Sequence, residues 1–245
     1  MGEDIFQSAE KAIQAAGSKD PRDVAEHFGI MVVDLKGTIA GYATRYSKIP
    51  VIGLNVNLDD LWYRFGGWHE LDHVFSGDIY NPGFNGGHRD GGFFTQDVDS
   101  RTIPRYELRA NLVSANVNIE DDIVIEVTNY DSRMMQDYRR MRAYLDKLFH
   151  AYDQLRFSTD TSSSAILKTQ MHELRRKIQG ASETLTDMEA EMVSSNCCKT
   201  FHEMACEVGV PERIFRYKLE AMRLRGYDID PQELERYDEM FKGAL

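Results

Sequence analysis

The sequence predicts an α+β fold in which a small sheet lies beside a central helix and two helical segments follow. Three short segments, 30–35, 41–46 and 51–55, are predicted to be strands, and a largely apolar helix over residues 58–75 comes directly after them. Farther along, apolar residues interleave with charges over 129–195, which predicts a long antiparallel helical hairpin. We therefore divide the chain into residues 1–128, residues 129–196 and residues 197–245.

The predicted elements of the first segment follow from turn and capping residues. Asp20 and Pro21 predict the start of a helix, because a capping residue followed by proline suits the first turn. The last two strands form a hairpin through residues 47–50, and Asn57 or Asp59 is expected to cap the central helix. The predicted helices cover 3–16, 20–28, 58–75 and 105–117, and the predicted strands cover 30–35, 41–46 and 51–55.

The central helix contains an HExxH motif, His69-Glu70-Leu71-Asp72-His73. Helical residues four apart lie on one face, so His69 and His73 can bind the same Zn²⁺ ion. Glu70 lies about 100° around the helix, which places its carboxylate beside the metal rather than on it. The motif thus supplies two metal ligands and a general base. The polar groups of a mostly apolar helix need compensation, and a metal ion would provide it.

The third metal ligand must come from outside the motif. In zinc hydrolases it is usually His, Glu or Asp, and the fourth position stays open. Glu107, near the start of the predicted helix 105–117, is the first candidate, and His88, in a glycine-rich loop, is the second. A carboxylate at the position of Glu107 is also favourable through the helix dipole alone, so the spacing leaves the choice open.

Several stretches together resemble the ImmA/IrrE metalloproteases of phages, integrative elements and their hosts. These stretches are residues 20–30, the strand at 50–55, the HExxH helix, and residues 107–115, which begin with an E-x-x-A-N pattern. The resemblance implies a zincin-like core of the gluzincin type. It also implies that Glu107 is the third Zn²⁺ ligand beside His69 and His73, with Glu70 as the catalytic residue.

The same resemblance implies a function. By this resemblance, the chain is expected to be a zinc-dependent endopeptidase that cleaves a helix-turn-helix repressor and so induces phage, mobile-element or stress genes. The alternative is a non-cleaving regulator that binds a repressor or DNA on a degenerate protease fold. A free strand edge beside the active-site helix could pair with an extended substrate peptide. The candidates for contacting the oxyanion or the substrate are Tyr106, His88 and Arg109, and the sequence does not choose among them.

Asp72 departs from the family pattern, which usually has glycine before the second histidine. Two roles are open for it. Its carboxylate either orients a metal ligand through hydrogen bonds or faces solvent.

The remaining segments leave further roles open. Residues 200–227 resemble a helix-turn-helix with basic residues such as Arg213 and Arg216, yet we favour packing on the protease core over DNA binding. The net charge of −11 disfavours nucleic acid and favours basic partners. The hairpin at 129–195 is expected to be a scaffold or a homodimer interface, with substrate docking as the alternative.

The composition predicts a cytoplasmic protein without membrane contact. No apolar run is long enough to span a membrane, and the acidic start Met1-Gly2-Glu3-Asp4 does not resemble a signal peptide. Three cysteines, two of them adjacent, do not form a disulfide framework.

Overall fold

The computed structural model describes residues 5–37, 39–81, 84, 104–128, 132–157, 165–194 and 199–229. These residues form a mixed α+β structure that is mostly helical, with one three-stranded sheet. The strands are β1 (Met31–Leu35), β2 (Gly41–Tyr46) and β3 (Ile49–Asn55). The helices are α1 (Gln7–Ala16), α2 (Pro21–His27), α3 (Asp60–Phe75), α4 (Arg105–Asn118), α5 (Asp121–Val127), α6 (Arg133–Phe157), α7 (Ala165–Ser194), α8 (Phe201–Val208) and α9 (Glu212–Leu224).

The described residues divide into two compact units. The first contains the residues up to Val124 and those from Ala205 onward. The second contains the residues from Ile125 to Met204. The C-terminal stretch that we predicted as a segment of its own therefore lies largely in the first unit.

The sheet has the strand order β1-β3-β2. β1 pairs with β3 in parallel, and β2 pairs with β3 antiparallel. The predicted hairpin is tighter than expected, because β3 begins at Ile49 and only Ser47 and Lys48 connect it to β2. Ser47 accommodates this short turn with a φ of 58°. Since β3 is central, β1 and β2 are the two edge strands of the sheet that the described residues form.

α3 is the most enclosed helix of the first unit. Every residue from Phe65 to Val74 is buried, since α3 packs against β2, β3, α2 and α4. Asp59 is the capping residue of the two predicted, and its side chain accepts a hydrogen bond from Trp62 N at 2.9 Å. Inside the helix, Trp68 Nε1 donates to the Lys19 carbonyl at 2.9 Å. These contacts fix both the start of α3 and its rotation about its axis.

α9 packs against α4 and is held there by a buried ammonium group. The side chain of Lys218 is 1% exposed, and its Nζ donates to Asp121 Oδ1 at 2.5 Å and to Asn116 Oδ1 at 3.2 Å. Arg225 Nη1 reaches the other Asp121 oxygen at 2.8 Å. A buried charge needs such pairing, so this cluster ties α9 to the α4–α5 region.

The second unit contains the predicted long helices. Tyr138 Oη of α6 donates to Glu189 of α7 at 2.9 Å, and Arg175 Nε of α7 donates to Tyr152 Oη at 2.8 Å. The N-terminal part of α6 thus contacts the C-terminal part of α7, and the C-terminal part of α6 contacts the N-terminal part of α7. The two helices are therefore antiparallel. The predicted turn at 158–164 lies outside the described residues. Dimerisation through this unit stays a prediction.

Within the part of the chain that the structure describes, no helix is both long and apolar enough to cross a membrane.

The close approach of α2 to α3 generates a stability prediction. A methyl group added at Gly67 would lie 2.4 Å from Pro21 Cγ, whereas one added at Gly66 would meet only the Ala40 carbonyl at 3.8 Å. We expect Gly67→Ala to lower the free energy of unfolding by about 1–3 kcal/mol, because the proline ring cannot move without α2. Gly66→Ala is the matched control and should raise it by up to about 1 kcal/mol. Urea unfolding followed by tryptophan fluorescence measures both, and a Gly67→Ala variant as stable as Gly66→Ala would contradict the packing.

The Lys218–Asp121 pair generates a pH prediction. Burial raises the pKa of Asp121, but hydrogen bonding and charge from Lys218, together with Arg225, lower it more, so this pKa lies below its usual value. The contribution of Asp121 to stability is therefore present above the unfolded-state pKa of about 3.9 and is lost as the pH falls through the lower folded-state pKa. At pH 7, Asp121→Asn should lower the free energy of unfolding by about 3–5 kcal/mol, since it leaves Lys218 buried without a carboxylate.

Unfolding curves between pH 7 and pH 3 test this prediction. The difference between the wild-type protein and Asp121→Asn should shrink at the acid end of the range. Asp122→Asn, which changes the charge equally at an exposed neighbouring position, should stay within about 0.5 kcal/mol of wild type. A difference for Asp121→Asn that is the same at every pH would show that its charge is not the cause.

Candidate metal centre

Three buried side chains from α3 and α4 converge at one point. His69 and His73 lie one turn apart on α3, and Glu107 lies in the first turn of α4. His69 Nε2 is 3.0 Å from His73 Nε2 and 3.1 Å from Glu107 Oε2. His73 Nε2 is 3.7 Å from Glu107 Oε1. One ligand atom from each residue is within 4.8 Å of the others, so the three could hold a metal ion.

The dimensions of this cluster fit a zinc ion. Zinc binds nitrogen and carboxylate oxygen at about 2.0–2.2 Å, so neighbouring ligands in a tetrahedron lie about 3.3 Å apart. The three distances in the cluster fall on both sides of that value. Two imidazoles and one carboxylate are also a ligand set found in catalytic zinc sites, where the fourth position remains open.

The outward-facing ring nitrogens fix the histidine tautomers. His69 Nδ1 is 3.0 Å from Asn111 Oδ1, and His73 Nδ1 is 2.9 Å from Asp78 Oδ2. Asn111 Nδ2 in turn donates to Tyr217 Oη at 3.3 Å, which leaves Asn111 Oδ1 as the acceptor. Both Nδ1 atoms therefore donate, and in the neutral rings both Nε2 atoms present lone pairs.

With both rings neutral, this arrangement brings two Nε2 lone pairs and the Glu107 carboxylate together at the centre. Such acceptors at 3.0–3.7 Å in a buried site repel one another, and either a proton on one Nε2 or a metal cation among them relieves the repulsion. A divalent metal ion satisfies all three groups at once. The donor chemistry thus fits zinc for a reason that is independent of the sequence motif.

The charges around His73 act in the same direction. Burial lowers the pKa of His73, but the hydrogen bond with Glu107, the charge of Glu70 and the hydrogen bond with Asp78 together raise it above its usual value. Anionic surroundings that favour a protonated imidazole also favour a bound metal cation.

Asp72 is buried, with 3% of its surface exposed. The alternative that it faces solvent is therefore wrong. Arg109 Nε donates to Asp72 Oδ2 at 2.8 Å, and Arg109 Nη2 donates to Asp78 Oδ2 at 2.5 Å. Burial raises the pKa of Asp72, and the nearby guanidinium opposes this shift without cancelling it. Asp72 thus reaches His73 indirectly, through Arg109 and Asp78.

Glu70 lies against the edge strand β2. It is 1% exposed, and a Cβ atom added at Gly41 would lie 3.0 Å from both Glu70 Cγ and Glu70 Oε1. A glycine at this position of β2 therefore allows the close approach of the strand to Glu70. The predicted general base and the edge of the sheet are direct neighbours.

The remaining predicted residues have different surroundings. The ring of Tyr106 is 5.8 Å from the ring of His73, and Phe84 is 4.9 Å from His73 and 5.7 Å from Tyr106. Burial, followed by the charges of Glu107 and Asp78, raises the pKa of Tyr106, which therefore keeps its proton near neutral pH. The nitrogens of Arg109 described above donate to two carboxylates. His88 lies outside the described residues.

Asp78 and Asn111 were not predicted from the sequence to have a role in the site. Asn111 had a local signal, because it lies four residues after Glu107 on the same face of α4. Asp78 follows Gly77, whose φ of 76° ends α3, and it opens a short 3₁₀ turn. A carboxylate just after the C-terminus of a helix can contact side chains of the last helical turn. The position of Asp78 in the sequence does not by itself predict its contact with His73.

Comparisons with known proteins add no family to this description. No protein-family model matches the chain, nor does any curated protein or solved structure. The resemblance to the ImmA/IrrE metalloproteases therefore stays a prediction from motifs.

The contact of Asn111 with His69 predicts an effect on metal affinity. Asn111→Ala removes the group that orients the His69 ring and should weaken Zn²⁺ binding by about 10- to 100-fold. Competition with a chromophoric chelator measures this affinity. Asn118→Ala is the control, since Asn118 lies on the same helix and its amide donates to the Ser114 carbonyl at 2.8 Å. Equal affinities for the two variants would exclude an orienting role for Asn111.

Proposed function

We propose that this chain is a zinc-dependent endopeptidase. The observation that carries the proposal is the buried convergence of His69 Nε2, His73 Nε2 and the Glu107 carboxylate, with Glu70 on the same helix. Under this proposal the first three residues hold the metal, and Glu70 is the general base.

The chemistry assigns a task to each residue. A bound Zn²⁺ supplies Lewis acidity, which polarises a carbonyl and makes a water molecule more acidic. Glu70 accepts a proton from the attacking water, whose oxygen bonds to the scissile carbonyl carbon. When the carbon–nitrogen bond breaks, Glu70 passes that proton to the leaving amine. Tyr106 stays protonated. Of the three predicted candidates, it is the one within the described residues that we expect to donate a hydrogen bond to the developing oxyanion.

The position of β2 supports a peptide as the substrate. β2 is an edge strand, and it touches Glu70 at Gly41. An extended peptide that paired with this edge would place its backbone next to the general base. From the motif resemblance we propose a helix-turn-helix repressor as the protein that supplies this peptide.

The contacts made by the basic side chains of α9 and Arg225 argue against the alternative in which this stretch binds DNA. α9 carries four basic side chains, and Arg225 follows it; of these five, Lys218 is buried on Asp121, and Arg223 pairs with Glu220. Arg225 also binds Asp121, and Arg213 lies 5.9 Å over the ring of Tyr217. Arg216 is exposed, but the other four basic groups make contacts within the chain, and these contacts compete with binding to phosphate. We therefore rank the non-cleaving, DNA-binding alternative second.

Metal content and cleavage, measured on the same variants, test the proposal. The wild-type protein should bind about one Zn²⁺ per chain, Glu107→Ala should lose most of it, and Glu70→Gln should retain it. Glu70→Gln should cleave at least about 10²-fold more slowly, because its amide cannot accept the proton. The assay uses a helix-turn-helix repressor encoded near this chain and a mixture of unstructured peptides. Glu26→Gln, at an exposed position of α2, is the matched control.

Each part of the proposal has its own contrary result. A wild-type chain that binds no zinc after reconstitution would overturn the metal centre and leave the binding regulator. Unchanged cleavage by Glu70→Gln would remove the role given to Glu70. Cleavage of peptides but not of the repressor would overturn the substrate while retaining the peptidase.

A further inference from the structure

A chain of charged groups runs from Asp72 to His73. The Asp72 carboxylate accepts from Arg109 Nε, the Asp78 carboxylate accepts from Arg109 Nη2, and Asp78 also faces His73 Nδ1 at 2.9 Å. The two carboxylates are 3% and 6% exposed. A single guanidinium thus joins two buried anions, one of which contacts a proposed metal ligand.

We propose that Arg109 is a positioning residue of the metal centre. Its guanidinium holds Asp78 against His73, and Asp72 anchors that guanidinium from the other side. This inference rests on the proposed function for the presence of a metal. It assigns to Arg109 a role other than contact with the substrate. It also gives Asp72 a role through Arg109.

The placement of the three residues explains why an arginine is suited to this role. Arg109 lies on α4, two residues after Glu107, whereas Asp72 directly precedes His73 on α3. Its contacts therefore join the helix that carries one ligand to the helix that carries the other two. The planar fork of a guanidinium can bridge two carboxylates in fixed directions, and a lysine ammonium cannot hold both in the same way.

The charge balance of the group also favours a divalent cation. Two carboxylates and one guanidinium leave one net negative charge behind His73. Asp72 provides this excess, because without it Arg109 and Asp78 would neutralise each other. A negative charge behind an imidazole strengthens that ring as a metal ligand, as a carboxylate does in carboxylate–histidine–zinc arrangements.

Two variants separate position from charge. Arg109→Lys keeps the charge but cannot bridge both carboxylates, so we expect Zn²⁺ affinity to fall by about 10- to 100-fold. Asp72→Asn keeps the shape but removes the anchoring charge, and we expect a fall of about 10-fold. Asp60→Asn makes the same charge change at an exposed position of α3, paired with Arg64, and should bind as wild type does.

The measurements include two readouts that do not depend on activity. Zn²⁺ affinity is determined by chelator competition at one pH, and the absorption bands of bound Co²⁺ report the geometry around the metal. We expect the bands to shift in Arg109→Lys and to stay unchanged in Asp60→Asn. Thermal unfolding of each metal-free protein shows whether a variant is folded. If Arg109→Lys does not fold, Asp72→Asn and Asp78→Asn provide the same comparison from the carboxylate side.

The outcomes distinguish this inference from the proposed function. Wild-type affinity and an unchanged Co²⁺ spectrum in Arg109→Lys would overturn the positioning role, whatever the behaviour of Asp72→Asn. Reduced affinity with a shifted spectrum in a folded Arg109→Lys would support it. If Arg109→Lys is unfolded, wild-type affinity in both carboxylate variants would overturn the role. A wild-type chain that binds no metal would overturn the proposed function, and this inference with it.

Discussion

The packing of α3 against α4 is the constraint on which the candidate centre depends. Ser114 Oγ of α4 donates to the Phe65 carbonyl of α3 at 2.6 Å, deep between the two helices. Nearer the centre, Asn111 contacts His69 and Arg109 contacts Asp72. These polar contacts set the register of the helices, and that register places Glu107 opposite the histidine pair. A slip of one helix by a single turn, about 5.4 Å, would separate the three ligands.

Because α3 is buried from Phe65 to Val74, the polar side chains of that stretch cannot be hydrated and need partners within the protein. A helix with one solvent-facing side can leave its histidines hydrated, but α3 is covered by the sheet on one side and by helices on others. Each buried polar group then requires a partner inside the protein. The outward nitrogens of the two histidines have such partners in Asn111 and Asp78. Among the described contacts, the inward nitrogens lie next to each other and to the Glu107 carboxylate, an arrangement that could hold a cation.

Local patterns predicted the parts of the structure that depend on local physics. The i, i+4 spacing placed His69 and His73 on one helix face, and capping preferences narrowed the start of that helix to Asn57 or Asp59, of which Asp59 is the cap. Partners distant in sequence were not predictable in this way. Lys218 lies in the basic, helix-turn-helix-like stretch, yet it is buried because Asp121, 97 positions earlier, neutralises it. Tyr217 likewise reaches Asn111 across 106 positions, which no periodicity encodes.

These long-range contacts extend the proposed peptidase domain beyond residues 1–128 to include α9. Residues 1–128 contain all three ligands and Glu70, and sequence alone suggested that they form the catalytic segment. In the structure, α9 adds Ala221 to the same hydrophobic core, Lys218 to the Asp121 cluster and Tyr217 to the amide that orients His69. A chain that ended before α9 would expose the face of α4 that α9 covers and would leave Asn111 without its Tyr217 acceptor. The candidate metal centre therefore depends on the whole first unit, including α9.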